Sequence, residues 1–295
     1  MAASQSRPVG DGRSIGHSAT RLEYGLHVEA AGETIPDDPR HCLAESWHDA
    51  LPDGRWTALY FGSEFCEHLI PSFEAIRRAC AQAEAHGFEA ALLTPIVRPA
   101  GLERIGRLLA RLDHIGLHPS VVFNDWGVLQ LLSTRFRAFP RRAGKLLNRE
   151  LRDPRLVGSR PADNGPPDRG QAFREFLRDR AVHGIESDVG LEGGFLGPKL
   201  EGFLRVLHLP FSFVASGRMC LYRSEFYGGT GSFAKDFGLP CHGPCLVEGP
   251  RAEQRPDGPS LTRAGNTVFR EVGIEEAVVR LAEADRLVVR RRPSA

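Results

Sequence analysis

The stretch WTALYFGSEFCEHLIPSFEAIRRACAQAEAHGFEAALL, residues 56–93, holds one full period of the pattern that sets the fold. Trp56–Phe61 is an apolar, aromatic-rich run that ends at Gly62 and reads as a strand. Phe73–His86 places Ile76, Ala79, Cys80 and Ala83 at helical spacing, and Gly87 supplies a C-terminal cap. Phe88–Leu93 is apolar again and reads as the next strand. The alternation continues outward. Leu22–Val28 is a strand before it; Leu102–Ile115 is a helix stopped by Gly116, Pro119–Phe123 a strand and Val128–Ser133 a short helix. Further strands are expected at Phe136–Pro140, Val182–Glu186, Phe211–Ala215, Thr267–Arg270 and Arg286–Arg290. Further helices are expected at Arg40–Leu51, Phe173–Arg180, Lys199–Leu207 and Ile274–Glu283.

Strands alternating with helices of this length argue for a parallel α/β fold. About eight such steps match a TIM-barrel-like (β/α)8 core, although periodicity alone does not separate a barrel from an open doubly wound sheet. The expectation is a flexible, polar N-terminal extension over residues 1–20 and a single barrel-like domain over residues 21–292. Two segments break the rhythm. Asp153–Gly170, rich in Pro, Gly and Asp, reads as a surface loop. Ser216–Arg263 reads as a long irregular loop that carries three of the six cysteines.

A hydrophobic share of 41% in 295 residues is enough for a sizeable core. The net charge of +1 provides no global field for nucleic acid, which makes it an unexpected partner. The N-terminus lacks the apolar region of a secretory signal, and no apolar run has the length of a membrane span. The expected location is therefore cytoplasmic, where thiols stay reduced and six cysteines act as ligands, nucleophiles or buried side chains rather than as disulfides.

In SGRMCLYRSEFYGGTGSFAKDFGLPCHGPC, residues 216–245, Cys241 and Cys245 are separated by His242, Gly243 and Pro244, so a short turn can aim both thiols at one metal. Cys220 lies upstream across a glycine-rich connection. Three thiolates are one short of a closed cluster. Cys42, Cys66, Cys80 and His242 are the candidates for the fourth ligand. Cys66, just beyond a strand end, is best placed, because α/β folds build sites there. Cys80 and Cys42 lie in helical patterns and read as packing. Zinc is the rival metal, but it more often takes close Cys–x2–Cys pairs than one close pair and two distant singles.

Other residues invite two readings. Asn124 and Asp125 line the end of a strand as substrate contacts or cap the following helix. Arg149 fits an anionic substrate or a solvated basic face. Glu186, at a strand end, is a general base or an arginine partner. No HExxH, G-x-S-x-G or P-loop pattern is present.

Four segments together resemble the collagenase-like peptidase family, in the branch that contains the UbiU and UbiV proteins. They are LYFGSEFC (59–66), FNDWGVLQLL (123–132), HGIESD (183–188) and PFSFVASGRMCLYRS (210–224), followed by the Cys241–Cys245 pair. The resemblance implies a TIM-barrel-like core, and it implies that Cys66, Cys220, Cys241 and Cys245 are the four ligands of a 4Fe-4S cluster. It further implies a part in oxygen-independent hydroxylation of a ubiquinone precursor or a similar aromatic, quinone-like substrate, alongside a heteromeric partner of UbiU type. The Cys220–Cys241 interval is longer than the UbiV-like pattern, and this leaves three alternatives: a peptidase, an RNA-base hydroxylation factor or a non-catalytic scaffold subunit.

Overall fold

The computed structural model describes residues 22–29, 32–147, 169–189, 202–236, 239–253 and 260–294. The expected extension over 1–20, all but the end of the 153–170 segment, and Arg149 lie outside the described residues. Eight parallel strands close into a barrel. They are β1 (Leu22–His27), β2 (Gly54–Gly62), β3 (Glu89–Thr94), β4 (Ser120–Phe123), β5 (Arg141–Ala143), β6 (Gly184–Asp188), β7 (Leu204–Leu209) and, after an insertion, β12 (Arg286–Val289). β12 pairs with both β7 and β1, which closes the ring. The helices α1 (Phe73–Ala85), α2 (Pro99–His114), α3 (Trp126–Thr134), α4 (Arg169–Arg178) and α7 (Ile274–Leu281) lie between barrel strands in chain order. The TIM-barrel-like expectation therefore holds, and the open sheet is excluded by the closure.

The insertion between β7 and α7 is a second sheet. Strands β8 (Phe211–Ser216), β9 (Arg251–Glu253), β10 (Leu261–Ala264) and β11 (Thr267–Glu271) pair antiparallel in the order β8-β11-β10-β9. Two short helices, α5 (Leu221–Phe226) and α6 (Pro244–Glu248), sit between β8 and β9.

Several expected elements are corrected. The described part of Lys199–Leu207 is no helix but the start of β7, whose residues 206–209 are buried on both faces. A continuous buried run has no period of its own to separate strand from helix. Phe136–Pro140 is a turn with Phe136 and Phe139 buried, and the strand follows it as β5. Arginine at the centre of β5 is an unusual strand signal. Arg40–Leu51 forms two 3-10 turns, Pro39–Cys42 and Glu45–Trp47. Phe211–Ala215 and Thr267–Arg270 are strands, but of the second sheet rather than the barrel. Ser216–Arg263, expected to be irregular, contains α5, α6, β9 and β10. Among the described residues no helix is long and apolar enough to cross a membrane.

Outward-facing strand residues and the helices form the large apolar core, to which α1 contributes Ile76, Ala79, Cys80 and Ala83. Inside the barrel a small apolar layer includes Ala58, Tyr60, Val122, Val206 and Val288. The rest of the interior is charged. Arg142, fully buried, donates through Nε to Glu186 Oε1 (2.8 Å) and pairs with Glu89. Arg286 donates to Glu89 Oε2 (2.6 Å) and through Nε to Glu23 Oε2 (2.9 Å). Gly184 makes room for this: a Cβ there would lie 2.6 Å from Cδ of Arg142.

Burial works to raise the Glu89 pKa, but the guanidinium groups of Arg142 and Arg286 override it and hold it at about 2. Glu89 thus contributes stability that is full above the ordinary carboxylate pKa and lost as pH falls through about 2. Glu89→Gln should cost roughly 3 kcal/mol near neutral pH. It should also flatten the acid limb of the stability profile, as read by urea denaturation across pH.

Candidate metal centre

β2 delivers the first cysteine. Gly62 ends the strand at φ +106°, where a side chain would be strained and its Cβ would approach Leu93 O to 2.6 Å. The chain then crosses the barrel mouth, and Ser63 Oγ accepts a hydrogen bond from the Cys66 amide (3.0 Å). The residues between them face different surroundings. Glu64 turns to Lys145 and Arg290, while Phe65 packs on the second sheet, its ring 5.4 Å from those of Phe213 and Phe269. Asn266 Nδ2 donates to Phe65 O (2.8 Å) and fixes the backbone at this point. Cys66 is buried and immediately precedes the 3-10 turn Glu67–Leu69.

The second sheet brings the other three. Cys220, also buried, immediately precedes α5, and its amide donates to Asp236 Oδ2 (3.1 Å). The other Asp236 oxygen accepts from Arg223, whose Nη1 lies 2.7 Å from His68 Nε2, so one ion pair ties the Cys220 segment to the turn after Cys66. Tyr222 Oη lies 2.8 Å from both Gly249 O and Arg263 O and shares its one proton between them, which seats α6 and its Cys245 against α5. Tyr227 Oη donates to Pro240 O (3.2 Å), beside Cys241. Cys241 and Cys245 are half-buried. Gly243 between them has φ +69°, the left-handed turn that folds the pair back.

These ties bring the four thiols within electrostatic reach of one another. Burial, then the neighbouring thiols, pushes Cys66 up to about 12 and Cys245 up to about 11, and burial raises Cys220 as well. Backbone N–H groups of His68, of Tyr222 and Arg223, and of Leu246 act in the opposite sense on Cys66, Cys220 and Cys245. Arg223 in turn feels Cys241 and Cys220. Convergent thiols, amide donors and a cation at the rim together fit an anionic thiolate-held group. Among the described residues no three His, Cys, Asp or Glu side chains are drawn in tightly enough to hold a single metal ion.

The other sequence candidates are placed as follows. Cys80 and Cys42 belong to the apolar core. His242 packs against Phe226 and Tyr227. Asn124 is buried at the end of β4, donating to Thr94 O (3.0 Å) and accepting from Leu146 N (3.0 Å). Asp125 caps α3 by accepting from Gly127 N (2.7 Å). Glu186 is fully buried inside the barrel between Arg142 and His208, whose Nε2 is 2.6 Å from Oε2; burial raises its pKa.

Sequence reasoning missed Glu64, Lys145, His208 and Arg290, which form a buried polar assembly at the mouth. One signal was available: Lys145 is one of only three lysines, and Glu64 follows the glycine that ends a strand.

No family model matches this chain, and no curated protein matches it. Among solved structures, the chain is similar to one described as the U32 peptidase Mk0906, at 13% identity and a TM-score of 0.42, with 97% of each chain covered.

Phe65 holds Cys66 against the second sheet. Phe65→Ala should cost ~3–4 kcal/mol in denaturant unfolding. It should also speed labelling of Cys66 by a thiol reagent in the native protein, mapped by mass spectrometry.

Proposed function

We propose that this chain is an iron–sulfur protein in which Cys66, Cys220, Cys241 and Cys245 hold a 4Fe-4S cluster where the barrel mouth meets the second sheet. The observation that carries this reading is the convergence of four cysteines from separate segments, 66 on the barrel and 220, 241 and 245 on the insertion, each within electrostatic reach of the others. Such a group supplies one-electron redox chemistry when bound. The residues around it exclude water at Cys66 and Cys220, donate backbone N–H groups toward sulfur, and place Arg223 as a counter-charge.

The resemblance in the cysteine-bearing segments extends the proposal to oxygen-independent hydroxylation of an aromatic or quinone-like substrate, performed with a UbiU-type partner. Anaerobically purified protein should be brown and carry about four irons and four sulfides per chain. Cys66→Ala should lose the colour and most of the iron. A colourless protein with stoichiometric zinc would overturn the cluster, and proteolytic activity that survives iron removal would overturn the hydroxylation reading.

A further inference from the structure

The barrel mouth holds a polar assembly that the cysteine site does not use. Its members are His27 at the end of β1, Glu64 after β2, Lys145 after β5, His208 in β7 and Arg290 after β12, each no more than 6% exposed. Arg290 Nη2 donates to Glu64 Oε2 (2.8 Å), and Lys145 Nζ lies 2.9 Å from the same oxygen. His27 lies within electrostatic reach of Arg290, His208 and Lys145. The remaining polar atoms are left over: Arg290 Nε and Nη1, His27 Nε2, His208 Nδ1 and Glu64 Oε1 are buried without a hydrogen-bond partner.

Native interiors rarely leave such groups unpaired, because an unpaired buried donor or acceptor keeps its full desolvation penalty. Here they gather at the C-terminal end of a parallel barrel, the end at which such barrels bind their ligands. His27, alone of the five, also lines a cavity of about 270 Å³ together with Gly62, Ser63 and Cys245, so the assembly meets a space next to the cysteine site through that one side chain.

The chemistry of the unpartnered atoms selects the ligand. Arg290 Nε and Nη1 are obligate donors, each imidazole nitrogen donates or accepts according to its tautomer, and Glu64 Oε1 is the single obligate acceptor. That set matches two acceptor oxygens beside one hydroxyl. Glu64 and Asp188 share the mouth with Lys145 and Arg290, so a dianion would meet two carboxylates, whereas a monoanion meets less repulsion. We propose that this assembly is a carboxylate-binding subsite that takes the acid group of a small organic acid on Arg290, His27 and His208, with Glu64 Oε1 free to accept from a hydroxyl of the same molecule. The inference does not rest on the cluster, because binding is read whatever the iron content.

The test is calorimetric titration and thermal shift of the full chain with sodium benzoate and sodium acetate, against inorganic phosphate and chloride at matched ionic strength. Saturable binding of a carboxylate with a Kd on the order of 1 mM or tighter, with a raised Tm, is expected. Arg290→Lys keeps the charge but loses the planar, multi-donor guanidinium and should weaken binding about tenfold or more. His27→Gln, at the cavity edge, should weaken it several-fold and decides the matter if Arg290→Lys fails to fold. The proposal is overturned if neither carboxylate binds saturably, which would leave these atoms to ordered water. It is also overturned if phosphate binds in preference, or if the folded variants bind as the parent does.

Discussion

Glu64 sits between two buried cations, and the geometry of the barrel mouth depends on that contact. Lys145 and Arg290 approach the same carboxylate oxygen from the ends of different strands, all three side chains being almost wholly withdrawn from water. Removing such charges from solvent costs several kcal/mol per ion, and the cost is offset only while the partners stay in place. Burial alone would raise Glu64; Lys145, His208 and Arg290 together hold it at about 2. The loop that carries Glu64 is thereby locked across the top of the barrel.

Everything at the cysteine site follows from that lock. With Glu64 fixed inward, the next residue packs on the second sheet and the one after it faces the insertion's cysteines. The second sheet is therefore more than an appendage on the barrel. It receives an aromatic anchor from the barrel, returns the Asn266 hydrogen bond to it, and orders the segments that carry Cys220, Cys241 and Cys245.

The barrel was legible in sequence where burial is one-sided or where glycine marks an end, as in Phe73–His86 with Gly87. It was illegible where the interior is charged. Arg142 at the centre of β5 does not read as strand interior, because its compensation comes from partners far along the chain. Residues 206–209 of β7, buried on both faces, carried no period of their own. The cysteines could be picked out because the residue type is rare and the 241–245 spacing is short. The Glu64–Lys145–Arg290 assembly left only a faint mark, the rarity of lysine, since ordinary surface residues of those types look identical until the fold removes the water.

The pairing of β1 with β12 also bears on how the chain reaches this state. Leu26 meets Val289 only after the whole intervening chain has been placed, and β12 meets β7 only across the second sheet. In equilibrium terms the detour is inexpensive, because each doubling of a flexible connection adds only about 0.6 kcal/mol of closure entropy. In kinetic terms it is not, because folding rates fall as contacts become more distant in sequence. The consecutive β2–β3–β4 units can assemble early from local contacts. Ring closure, which alone shields both edges of the sheet, must come late, and until then β1 and β7 are open strand edges.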